Sequence, residues 1–159
     1  MVTGSHEWAF LLHHLPREPS APRIALWRAF RRLGALLLGD GLVALPASPR
    51  NIEHLEWLAS GIEERDGTAS VWVARPTTGR TTDRLIEESR AAIDAEYRAV
   101  MREAAAGHDL TIVEQRRLVR RLRAVLRRIA SRDYFAAPAA PGARERVERL
   151  ASRAAEVSA

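Results

Sequence analysis

Residues 110–132 carry eight arginines against one acid, Glu114, a net +7 in a chain whose total is +5. A guanidinium presents a rigid fork of donors that matches phosphate or carboxylate oxygens. Each phosphate it neutralises releases condensed counterions and so drives association. Set on a helical wheel, Leu118, Val119, Leu122, Val125, Leu126 and Ile129 occupy one arc, and Arg116, Arg117, Arg120, Arg121, Arg123, Arg127 and Arg128 sweep the opposite one, with Arg132 at its edge. Such a helix has one face for anchoring and one for a polyanion. Arg28, Arg31 and Arg32 form a smaller basic face on an earlier helix.

Plainer readings of the arginines stand beside this one. The segment before them carries Glu87, Glu88, Asp94, Glu96 and Glu103, and two antiparallel helices exchange salt bridges readily. Five acids cannot neutralise eight arginines, so polyanion contact, a protein interface and a solvated face all remain open. Arg28, Arg31 and Arg32 alone read as a solvated helix face.

Other candidate chemistry is thin. His13 and His14 are adjacent on an expected strand, so they point to opposite faces and cannot chelate one ion. His6, His54 and His108 are scattered. The chain has no cysteine, which removes disulfides, thiolate metal sites and thiol nucleophiles. Asp40 sits in a Gly-Asp-Gly turn, where its type serves the turn. Trp8, Trp27, Trp57 and Trp72 are expected to pack in cores. No nucleophile–base set and no phosphate-cradling glycine loop is present. The expectation is a protein with no catalytic residues, no metal and no cofactor, and not an enzyme.

Composition sets the frame. All 25 basic residues are arginine. Arginine codons are GC-rich, so the choice of arginine over lysine carries the imprint of base composition, and only its distribution is informative. That distribution is uneven: residues 1–80 net +1, residues 81–109 net −3, and residues 133–159 balance. No apolar run approaches the roughly 20 residues a membrane span needs. Met1 to Glu7 lacks the basic start of a signal peptide, so a cytoplasmic location is expected.

The elements that would position these residues follow from periodicity. Trp8–Leu15 reads as a strand. Ser20 is a candidate cap for a helix to Leu33, with Pro22 in its first turn and Ile24, Leu26, Trp27, Phe30 and Leu33 on one face. Ala35–Leu38 and Leu42–Leu45 flank Gly39-Asp40-Gly41 as a hairpin. A helix over Pro49–Arg65 and a strand over Ser70–Ala74 follow. The order strand, helix, strand, strand, helix, strand predicts an α+β fold with a ferredoxin-like split βαβ core, a four-stranded antiparallel sheet over residues 1–76. A long helical pair follows over 81–135, from Asp83 to Ala105 and, behind a Thr111–Glu114 capping box, from Ile112 to Arg132. Residues 136–143 read as an Ala/Pro linker and 144–157 as a last helix. The sheet's second face needs a cover, either these helices or a second copy of the chain.

Several stretches, in order, are "LLHHLP", "RIALWRAFRRLGA", "GLVALP", "LEWLASGI" and "RRIASRDYFAAP". Together they resemble the N-terminal domain of ChrB-type chromate-resistance regulators, bacterial proteins associated with chromate efflux operons. The helix-to-hairpin pattern is similar, more distantly, to PaaX-type repressors, whose central domain is ferredoxin-like. The resemblance implies a DNA-binding transcriptional regulator, and it strengthens the case for Arg28. Full-length ChrB-type proteins continue into a second domain near where this chain stops. The expected partners are therefore double-stranded DNA, a second copy of this chain and a separately encoded second domain, with no membrane. The competing reading is a non-enzymatic oligomerisation or adaptor module whose arginine helix takes an acidic protein partner.

Overall fold

Residues 6–156 are described by a computed structural model. A continuous apolar run, Trp8 to Leu12, forms most of β1 (Trp8–His14), which becomes the third of four strands across the sheet. Helix α1 (Ala21–Leu33) leads to β2 (Leu36–Gly39) and β3 (Leu42–Pro46). Helix α2 (Pro49–Glu63) leads to β4 (Thr68–Ala74). The sheet order is β2-β3-β1-β4 with every neighbouring pair antiparallel. This is the ferredoxin-like split βαβ arrangement.

Local chemistry explains the turns. Gly34 ends α1 in the left-handed region at φ 71°, its N–H bonded to the Phe30 and Arg31 carbonyls. In the β2–β3 turn Gly41 takes φ 83°, and its carbonyl accepts the His13 N–H at 2.7 Å, which fixes the turn against β1. Ser48 caps α2 by accepting from the Asn51 N–H, and Pro49 fills the first helical position, where a missing N–H costs nothing. The buried Asn51 amide then donates to the Pro46 carbonyl at 2.9 Å, tying α2 to the end of β3.

One side of the sheet buries Ala9, Leu11, Val43 and Leu45, and α2 packs against β1 and β4. Leu26 and Phe30 of α1 and Leu55 and Ile62 of α2 are buried with them, and the Phe30 ring lies 5.2 Å from that of His13. On the other side Phe10 registers between Ala44 and Trp72, and Leu12 between Leu42 and Ser70. Trp8 and Ala44 are buried, whereas Leu12 and Trp72 are exposed.

The chain divides into two compact units, one ending at Ser89 and the other beginning at Arg90, within α3 (Gly79–Ala106). The C-terminal unit continues through a short 3-10 turn at Gly107–Asp109 into α4 (Ile112–Ala130) and α5 (Ala140–Glu156). Its core is one cluster that includes Ile93, Tyr97, Val100, Leu118, Leu122, Leu126, Ile129, Val147 and Leu150.

Four expectations need correction. Helix α3 begins at Gly79, four residues before the expected start at Asp83. Helix α5 begins at Ala140, inside a supposed linker (136–143), because Pro141 is tolerated in a first turn and Ala140 and Ala143 are buried. Ser20 precedes α1 but makes no side-chain capping bond, its own backbone being helical. Of the four tryptophans only Trp8 is a core residue. Trp27, Trp57 and Trp72 lie at the margins of their faces, with Arg31 stacked 5.1 Å over Trp27 and the Trp72 indole N–H bonded to Ser70. The expected domain limits at residues 1 and 157 lie outside the described residues.

Gly67 is held by close packing. A β-carbon there would stand 2.6 Å from both the His14 carbonyl oxygen and the Ile62 side chain. Gly67→Ala should therefore destabilise the N-terminal unit by about 1–3 kcal/mol, the usual cost of overpacking. Denaturant unfolding checks this, and a change within about 0.5 kcal/mol would show that β4 shifts freely.

Candidate functional site

Helix α4 starts at a full capping box. The Thr111 hydroxyl accepts from the Glu114 N–H, and the Glu114 carboxylate accepts from the Thr111 N–H at 2.9 Å. That fixes the helix's first turn and hence the rotation of every side chain after it. Leu118, Val119, Leu122, Leu126 and Ile129 are buried along one arc. Each such side chain is worth roughly 1.5–3 kcal/mol when removed from water, so the arc cannot turn outward. The arginines are thereby forced to the opposite side. Arg116, Arg117, Arg120, Arg121, Arg123, Arg127 and Arg128 all reach solvent, while Arg132 is half-buried.

Ion pairing divides this set by position. On one margin Arg121 meets Glu103 of α3 at 2.5 Å, and Arg132 grips both oxygens of Glu96 at 2.5 and 2.6 Å. On the other margin Arg123 binds Glu148 of α5 through two hydrogen bonds, of 2.9 and 2.5 Å, and Arg116 donates to the Ala154 carbonyl at 3.3 Å. The crest between them holds Arg117, Arg120, Arg127 and Arg128. Among the described residues none of these four forms an ion pair. The acid nearest in sequence, Glu114, is engaged by Thr111, which together with the Arg117 charge holds its carboxyl below the usual range.

The acids expected to oppose the arginines are therefore used selectively. Glu96 and Glu103 pair with α4. Asp94 instead binds Arg98 at 2.6 Å and accepts the Ala139 N–H at 2.6 Å, and Glu88 lies near Arg84 of its own helix. Sequence reasoning does not single out Glu148. Its signal is in the spacing of α5, where Val147 and Leu150 turn the intervening Glu148 toward the flank of the apolar stripe.

Arg28, Arg31 and Arg32 belong to α1, in the N-terminal unit, and the α4 arginines belong to the C-terminal unit. The ten candidate residues are thus divided between the two units, three in the first and seven in the second. Arg31 is occupied in stacking on Trp27.

Chemically, the crest offers four donor forks on a stretch about 16 Å long. Duplex DNA carries one phosphate per about 3.4 Å of each strand, so several phosphates fall within that reach. No group of three or more His, Asp or Glu side chains that could hold a metal ion occurs among the described residues. No helix there is long and apolar enough to cross a membrane.

Comparison with known proteins places these residues in context. The family model described as Protein ChrB, N-terminal, matches residues 23–159. A curated relative, Protein ChrB from Cupriavidus metallidurans, is 36% identical over 66 residues, a stretch that covers 42% of this chain and 20% of that relative. No solved structure matches the chain.

The Arg123–Glu148 pair and the hydrogen bonds to Asp94 make a pH-dependent contribution to stability. Hydrogen bonds from Arg123 hold the Glu148 carboxyl below its ordinary value, and Arg98 and the Ala139 N–H do the same for Asp94. A carboxylate whose folded pKa is depressed stabilises above its unfolded pKa and loses that contribution as pH falls through the folded value. Unfolding midpoints should therefore hold near neutrality and fall below about pH 4.5, with a shallower fall in Glu148→Gln. Parallel pH profiles for the two proteins would show that the Arg123 pair adds no stability.

Proposed function

Because the chain belongs to the ChrB N-terminal family, we propose that it is a DNA-binding transcriptional regulator of the chromate-resistance kind and that α4 is its phosphate-contacting element. The observation that carries this reading is the unpaired arginine crest. Glu96, Glu103 and Glu148 pair at the margins of α4, yet among the described residues the four outermost guanidinium groups face water without forming an ion pair. Desolvating such a row against an apolar partner would be costly, whereas phosphate supplies charge and acceptors together. Contacts of this kind position a protein on DNA and do not read bases. Arg28 and Arg32 on α1 are a second, weaker basic surface, and Arg116, Arg121 and Arg123 sit at the edge of the crest, where they can exchange their present partners for phosphate. A cytoplasmic location accords with this role.

Arg117, Arg120, Arg127 and Arg128, changed together to Gln, test the reading. Folding should be nearly unaffected, since exposed changes are typically worth within about ±0.5 kcal/mol each. Affinity should weaken across unrelated duplex sequences. The slope of log affinity against log salt should become shallower by about 0.9 for each phosphate that the variant no longer neutralises. Unchanged affinity and slope would remove α4 from the DNA surface. Little DNA binding by the parent protein, joined to failure of the variant to form a protein complex, would favour an adaptor that uses the crest for an acidic partner.

A further inference from the structure

The N-terminal unit contains a cleft of about 880 Å³ where the first half of α1 passes the end of β1 and the β2–β3 turn. That volume lies in the range of small-ligand sites, roughly 300–1,000 Å³. Its walls are of two kinds. Ile24, Trp27 and Leu37 line it with 49%, 47% and 55% of their surfaces open, and Leu26 and Phe30 lie buried behind them. Three large apolar side chains left half-open around one concavity are unusual on a soluble surface and mark a binding site more often than a random exposure. Stacking by Arg31 braces the Trp27 indole from one side.

The polar part of the lining carries a net positive charge, two arginines against one acid. Arg17 and Arg23 both line the cleft, and neither forms an ion pair among the described residues. Between them the N-terminus of α1 opens onto the same space. Ser20 makes no side-chain cap there and no acid occupies the first turn, so the helix itself supplies no counter-charge to its positive end. The Nδ1 atom of His13, also in the lining, is buried and has no hydrogen-bond partner among the described residues. Asp40, on the hairpin turn, is the one acid of the lining.

We propose that this cleft binds a small organic anion with an aromatic or aliphatic body. The body lies on Trp27, Ile24 and Leu37, and the carboxylate or sulfonate is held by Arg17, Arg23 and the backbone N–H groups of Ala21 and Arg23, Pro22 between them having none. An inorganic oxyanion would satisfy the cations and leave the apolar wall wet. A neutral hydrocarbon would cover the wall and leave the helix terminus and both guanidinium groups without an acceptor. Only the two chemistries in one molecule match the lining. The proposal stands apart from the role of α4, which lies in the other unit.

Naphthalene-2-carboxylate titrated into the full chain by calorimetry tests it, with naphthalene-2-carboxamide as the neutral counterpart and sulfate as the bare oxyanion. The carboxylate should bind at one site, and the carboxamide about tenfold more weakly, since a charge-assisted bond is replaced by a neutral one. Equimolar sulfate should not displace the carboxylate. Arg17→Gln with Arg23→Gln should weaken the carboxylate by about tenfold or more while leaving the unfolding midpoint close to that of the parent. Trp27 fluorescence, isolated by comparison with Trp27→Phe, should respond to the ligand. Absence of carboxylate binding, equal binding of carboxamide, displacement by equimolar sulfate, or full affinity in the double variant would each overturn the proposal.

Discussion

Everything distinctive about the C-terminal unit depends on the burial of one arc of α4. Leu118, Leu122, Leu126 and Ile129 join Tyr97, Val147 and Leu150 in a single core, and that commitment fixes the helix about its own axis. The capping box at Thr111 and Glu114 sets where the helix starts, so the phase of the arc and the phase of the arginines are locked to each other. The ion pairs at the margins follow from this and do not cause it. Exposed pairs of this sort typically contribute less than about 1 kcal/mol, well below the burial of one leucine. Their role is to select which guanidinium groups are left over.

The N-terminal unit is organised by β1 in a comparable way. It pairs on both edges, with β3 and β4, and offers Ala9 and Leu11 to the helical side. Helix α1 covers that side only partly. Its buried residues are Leu26, Ala29 and Phe30, a narrower stripe than its full apolar content. Ile24 and Trp27 are consequently left beside the sheet, and the space they border follows directly from that mismatch.

Much of this was legible in the sequence because it rests on period and on punctuation. The strand–helix order through Ala74, the Gly-Asp-Gly hairpin, the Thr111 capping box and the two faces of α4 all follow from local residue patterns. What was not legible depended on partners. An apolar residue at the edge of a helical stripe, such as Trp57, is buried only if a neighbour reaches it, and Trp57 stays exposed. Residues 136–143 read as a linker because alanine and proline have no hydrophobic period, yet Ala140 and Ala143 find a core to pack in. The division of the arginines into paired and unpaired is the same problem in electrostatic form. Glu96, Glu103 and Glu148 pair with α4, whereas Asp94 turns to Arg98 and the Ala139 N–H, and geometry alone makes that choice. The family resemblance read from the ordered motifs agrees with the family match over residues 23–159.

The unpaired crest of α4 is built wholly of arginine, in a chain that contains no lysine. A guanidinium does not lose its proton at any pH a cell experiences. Nor is it a substrate for the acylation that silences a lysine's charge. The field that Arg117, Arg120, Arg127 and Arg128 project is therefore a constant of the molecule. Acidification, metabolic acyl donors and the enzymes that use them leave it untouched, and only dissolved ions, or whatever anion settles on the helix, can screen it.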